Sequence, residues 1–166
     1  MTADDVIGML ELEPLHGEGG YFRETYRSAE SVPGDALPAR YRSARTMSTG
    51  IYYLVTPESF SHLHRVRSDE LFHFYLGDPV TLLRLYPRGA GDVVVMGSDI
   101  SAGERLQCAV PHGVWTGLSL ADGGQWALLG TTVSPGFEFE DFELAARDSL
   151  LASHPSFGEY IVRLTE

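Results

Sequence analysis

A chain of 166 residues with 43% apolar side chains is long enough to pack one core and gives no sign of two, so residues 1–166 read as a single domain. The formal charge of −11 at pH 7 argues against nucleic acid and anionic membrane, whose phosphates it would repel, and leaves a small molecule as the expected partner. The single cysteine, Cys108, excludes an intramolecular disulfide, and no apolar run is long enough to cross a bilayer, so a soluble cytoplasmic protein is expected.

In chain order, Thr2 is placed to cap a short helix with Asp5 at its third position. Val6, Ile7, Met9, Leu10 and Leu12 give that helix an apolar face until Pro14 stops it. Runs rich in Val, Ile, Tyr, Phe and Leu then predict strands over Tyr21–Arg27, Ser48–Val55, Ser61–Val66, Leu71–Leu76, Val80–Tyr86, Val93–Met96, Arg105–Val110, Val114–Leu120 and Trp126–Val133. In the first of these, Tyr21, Arg23 and Thr25 share one face and Phe22, Glu24 and Tyr26 the other, and alternation does not say which lines the interior. Residues 28–45, with Pro33, Gly34 and Pro38 and little periodicity, read as a long loop, a lid or a subunit contact. Arg40, Arg42 and Arg45 make it the densest positive cluster, either an anion site or a solvated face. Two short helices, Phe142–Ala152 and Ser156–Leu164, close the chain on either side of Pro155.

So many short strands in one domain must hide their edges, which a jelly-roll barrel does. A strand such as Tyr21–Arg27 would otherwise leave an edge open, which predicts a C2 homodimer. Cys108 alternates away from Gln107 and Ala109 and reads as a small apolar filler.

The most informative stretch is Ser61-His62-Leu63-His64 followed by Glu70. Strict alternation puts His62 and His64 on one face, and Glu70, with Phe72 and Phe74, returns opposite them on the next strand. A carboxylate among aromatic side chains is costly unless paired, metal-bound or held protonated. His73 falls on the other face, and His112, between Pro111 and Gly113, reads as an exposed turn residue. Gly19 and Gly20 allow either a close backbone approach that delivers Glu18 to a pocket mouth or a tight turn ahead of the strand, and the same residues serve both.

These residues resemble the cupin superfamily. His62, His64, Glu70 and Gly77 match its first motif, with a longer gap between His64 and Glu70 and with Thr56 in place of the leading glycine. Gly103 to Thr116 resembles the second motif, with two extra residues before Pro111 and with Thr116 where many metal-binding members carry histidine. Glu18-Gly19-Gly20-Tyr21-Phe22-Arg23-Glu24, Ser48 to Tyr53, Ser68-Asp69-Glu70 and Ser134 to Phe142 are similar to an uncharacterised single-domain cupin subfamily. The resemblance implies an all-β, single-domain cupin jelly roll (double-stranded β-helix) with a short N-terminal helix and short C-terminal helices.

Three functions stay open. The first is a metal-assisted enzyme on a small polar metabolite, in which His62, His64 and Glu70 hold a divalent Fe, Mn, Ni or Zn ion, His64 and Glu70 being catalytic. Glu18, Tyr21, Arg23, Tyr53, Phe72, Phe74, Gln107 and Trp115 would contact the substrate. The second is a metal-independent enzyme like the jelly-roll sugar-nucleotide epimerases, with His64 as base, Asp141 orienting it, and Tyr52, Tyr53 or Tyr75 as acid. The third is a non-catalytic, carbohydrate-like small-molecule binder.

Overall fold

The computed structural model describes Met1–Thr165. Its elements are α1 (Ala3–Leu10), β1 (Glu13–Pro14), β2 (Tyr21–Arg27), β3 (Ser31–Val32), β4 (Arg45–Thr46), β5 (Thr49–Val55), β6 (Ser61–Arg65), β7 (Asp69–Gly77), β8 (Val80–Leu85), β9 (Gly91–Met96), β10 (Gln107–Val110), β11 (Trp115–Leu120), β12 (Ala127–Ser134), β13 (Glu143–Leu144), α2 (Arg147–Ser153) and α3 (Gly158–Arg163). While β3 and β4 pair as a separate two-stranded ribbon, one large sheet has the order β1-β2-β5-β12-β7-β10 and the other β13-β6-β11-β8-β9. From β5 to β12 the chain crosses back and forth between them, apart from the β8–β9 hairpin, and this is the path of a jelly roll.

Alternation along each strand sorts side chains between cores. Tyr53, Val55, Phe72, Phe74, Leu82, Leu118 and Leu129 meet between the sheets, with Cys108 buried beside them as a small filler. Leu63, Leu83 and Leu85 point the other way and bury against Leu150, Ile161 and Leu164 of the C-terminal segment. A third cluster packs Val6 and Leu12 on Leu54 and Leu128, outside the larger sheet. Helix α1 carries the expected capping box: Thr2 Oγ1 accepts from the Asp5 amide at 3.2 Å, and Asp5 accepts from the Thr2 amide at 2.8 Å. It ends at Glu11, whose left-handed backbone (φ 52°) turns the chain ahead of Pro14.

Two local expectations change. Residues 142–146 are not helical: β13 pairs with the open edge of β6 at Arg65 and His64, and Arg65 holds Glu143 through two nitrogens at 2.9 and 3.0 Å. An edge of unpaired amides next to a buried histidine is satisfied this way, whereas a helix would leave it bare. In the long loop, Arg45 is fully buried and grips both oxygens of Asp141 at 2.7 Å. It is therefore a tie holding the loop to the barrel, while Arg40 donates to the Arg67 carbonyl and Arg42 is exposed. No helix among the described residues is long and apolar enough to cross a membrane.

Candidate functional site

The centre of the site is set by an irregularity in β6. Opposite β11, His64 pairs with Thr116 and Ser61 with Leu118, so His62 and Leu63 together face the single residue Gly117. This β-bulge brings Ser61 and His64 onto the interior face and turns His62 and Leu63 outward. Glycine is needed at 117 because a Cβ there would lie 2.9 Å from the Ser61 carbonyl oxygen. The expectation that His62 and His64 share a face fails for this reason: strict alternation does not survive an inserted residue.

His62 has a different place. Its amide and its Nδ1 both meet the Glu18 carbonyl oxygen, at 2.8 and 2.7 Å, and its ring lies 4.9 Å from Phe60. Gly19 (φ 94°) has no room for a Cβ against the Phe60 carbonyl, and Gly20 (φ 73°) lies flat on the Tyr53 ring, so both glycines are required for this approach. The result is that the Glu18 side chain enters the barrel, where its Oε1 accepts from Ser61 Oγ at 2.9 Å. The Tyr53 hydroxyl donates to the Gly19 carbonyl at 2.8 Å and fixes the same turn.

His64 is 1% exposed. Its Nδ1 lies 2.8 Å from the His62 carbonyl oxygen, which only accepts, so Nδ1 carries a proton and Nε2 faces inward. There it lies 3.9 Å from Glu18 Oε1 and 3.8 Å from Glu70 Oε1. Phe142 stacks on the ring at 5.3 Å. Burial opposes charge on this imidazole, but the Glu18 charge, the Glu70 carboxylate and the His62 carbonyl outweigh it and push its pKa up to about 9. Burial likewise raises the Glu18 carboxyl, against the pull of His64 and Ser61. Glu70 is 6% exposed, and its Oε2 has no hydrogen-bond partner.

Glu18 and Glu70 line a cavity of about 110 Å³ that opens between the sheets, walled by Phe22, Ile51, Phe72, Thr131 and Phe137. At its mouth Arg27 is clasped by Glu24 (2.9 and 3.0 Å) and Glu138 (2.9 Å). Of the residues expected at the site, the structure brings together Glu18, Tyr53, His64, Glu70, Phe72 and Phe74 inside the barrel. Tyr21 packs in the cluster with α1, and Arg23 pairs with Glu11 on the surface at 2.8 Å, because α1 covers that face of β2. Gln107 lies on the outer face, 3.0 Å from His73, and Trp115 packs in the cluster of the C-terminal helices with Arg65 over its ring at 4.4 Å. Asp141 belongs to Arg45 and cannot orient His64, while Tyr52 and Tyr75 lie outside the larger sheet. Alternation within β2 offered Phe22 and Glu24 as the other choice of face; Ser61 was hidden by the bulge, and Phe137 by its irregular segment.

The cupin resemblance implies a divalent metal, and these residues do not fit the facial two-histidine, one-carboxylate set. His62 is turned outward, and Thr116 stands where a further histidine would be and donates its hydroxyl to the Leu83 carbonyl at 2.9 Å, which leaves His64 as the one histidine at the centre of the site. Among the described residues no three His, Cys, Asp or Glu side chains form a group that could hold a metal ion.

Two facing antiparallel sheets joined by jelly-roll crossings, with a polar centre on β6 and β7, define a barrel of the cupin class. The model of the Cupin superfamily (DUF985) matches residues 4–145, and the chain belongs to that family. It is 33% identical over 135 residues to the uncharacterized protein YML079W of Saccharomyces cerevisiae, covering 76% of this chain and 67% of the yeast protein. Protein SO0799 from Shewanella oneidensis is 36% identical with a TM-score of 0.87, over 100% of this chain and 98% of its own. A hypothetical protein from Leishmania major is 35% identical with the same TM-score of 0.87, over 99% of both chains. Oxalate decarboxylase from Bacillus subtilis, at 16% identity and a TM-score of 0.54 over 95% of this chain and 38% of that one, shares the fold alone.

Proposed function

We propose that the barrel is a metal-independent acid–base site that moves a proton on a small molecule. The observation that carries this reading is His64 Nε2 set between a buried carboxylate, Glu70, and a largely buried one, Glu18, both of which line the cavity. Two carboxyl groups in unlike surroundings can divide the work of acid and base. Glu70, a lining residue of the cavity paired with the imidazolium, takes a proton from the bound molecule. Glu18, whose carboxyl burial raises toward the proton-holding form, is the group that returns one. His64 touches the carboxylates rather than the cavity and acts as a positioning residue, keeping charge balanced as the proton passes. Proton removal next to a carbonyl, followed by return of a proton to the same or a neighbouring atom, is the reaction class this arrangement suits.

The test is solvent exchange. The protein in deuterium oxide is offered small hydroxy-, keto- and amino-carbonyl compounds, and label at carbon is read by mass spectrometry. Wild type should label one class of compound, with Glu70→Gln slower by about 10²-fold or more, the usual contribution of a positioned base. Label that persists unchanged in Glu70→Gln, or no label with any compound, would contradict the reading and leave a binding role without chemistry.

A further inference from the structure

Glu70 and its surroundings say more about the bound molecule than that it is small. One carboxylate oxygen faces His64, and the other, Oε2, is buried without a partner in a residue that lines the cavity. A buried carboxyl oxygen left unpaired is costly, and an apolar body alone would not relieve it; a ligand that brings a hydrogen-bond donor would. The charges along the cavity point the same way. Glu18, Glu24, Glu70 and Glu138 line it, and among the described lining residues the one cationic side chain, Arg27, is already held by Glu24 and Glu138. An anion entering here meets carboxylates at the mouth and at the floor, with His64 shielded behind Glu18 and Glu70. The remaining wall is aromatic and aliphatic, Phe22, Phe72, Phe137 and Ile51, and the cavity of about 110 Å³ is smaller than the ~150 Å³ that encloses a benzene-sized body, so one ring reaching toward the open mouth is the upper limit.

We infer that the barrel binds a small ligand with an apolar body of about one ring and a protonated amine, the ammonium donating to one acceptor site of Glu70 Oε2 and leaving the carboxylate's remaining sites to take the proton. This names the ligand class for the acid–base site proposed above and rests on that reading only for the cavity's being a site of action. An ammonium is favoured over a neutral hydroxyl because it answers both the orphaned oxygen and the excess of negative charge. The apolar body fills the wall between the sheets, and the charged end goes to the floor.

The experiment uses three probes of nearly equal shape, benzylamine, benzyl alcohol and benzoate, titrated into the wild-type protein at pH 7 and followed by protein NMR. Benzylamine should bind at least tenfold more tightly than benzoate and more tightly than benzyl alcohol, shifting signals of Phe22 and Phe72. Glu70→Gln should lose tenfold or more of the benzylamine affinity while keeping that for the alcohol. Benzoate binding as well as benzylamine, alcohol matching amine, no binding by any probe, or undiminished amine affinity in Glu70→Gln would each overturn the inference. Should that variant fail to fold, the wild-type ranking decides alone. His64 ring signals in the same samples separate the two claims: a reversed ranking with the imidazolium intact sinks only the ligand class, and a neutral ring with the amine preference kept sinks only the acid–base reading.

Discussion

Raising the pH should weaken the fold through His64. The ring is buried, and its pKa stands at about 9 against an ordinary 6.5. A group whose affinity for a proton is raised by folding stabilises the folded state fully below its unfolded pKa, and that stability is lost as pH rises through the folded one. Each tenfold change in proton affinity is worth about 1.4 kcal/mol, so deprotonating this ring should remove about 3 kcal/mol between pH 6.5 and 9. The slope in that window is about −1.4 kcal/mol per pH unit, because the unfolded chain has released a proton that the folded chain still holds. Glu18, raised by burial, adds a slope of the same sign at lower pH, above the ordinary carboxylate value of 4.5. Urea denaturation of wild type and His64→Gln at intervals from pH 6 to 10 isolates the effect. Wild type should lose stability across the window while the variant stays flatter by about 3 kcal/mol. Parallel curves for the two proteins, or a wild type that gains stability above pH 7, would refute the reasoning.

Other expectations follow from single contacts. Arg45→Ala leaves the buried Asp141 with only Arg67, at 3.4 Å, and should cost up to about 3–5 kcal/mol in chemical denaturation, the range for breaking a buried pair by removing one partner. Gly117→Val drives a side chain against the Ser61 carbonyl and should destabilise by about 1–3 kcal/mol, with loss of the raised His64 pKa because the bulge sets its position. The outer edge of β2 is covered only by the two residues of β1, leaving Arg23–Arg27 exposed, so sedimentation at micromolar concentration should show a homodimer; a monomer would remove the edge-pairing argument.

Much of the barrel is readable from the chain, because its strands carry alternating apolar residues on both sides of turn-forming glycines and prolines. Glu70, Phe72 and Phe74 follow from alternation alone, since β7 is regular where they stand and its interior face is unambiguous. His62 does not, because a bulge is a backbone event whose trace in sequence is only a glycine on the partner strand. Tyr21 and Arg23 go astray for another reason. Both faces of β2 are mixed, and the choice between them depends on α1 packing outside the sheet, a tertiary contact with no local signature. Gln107 and Trp115 each sit one residue out of phase with the interior, on strands where neighbours of similar character occupy both faces. Asp141 looks like a free carboxylate until Arg45 is brought to it across the long loop.

The measurement closest to the central claim is the protonation state of His64, read by 15N NMR of the histidine ring before and after treatment with a chelator. The ring should be an imidazolium at pH 7.5, titrate near 9 and be unchanged by chelation. A ring that is neutral at pH 7.5, or a signal that moves when metal is stripped, would contradict it.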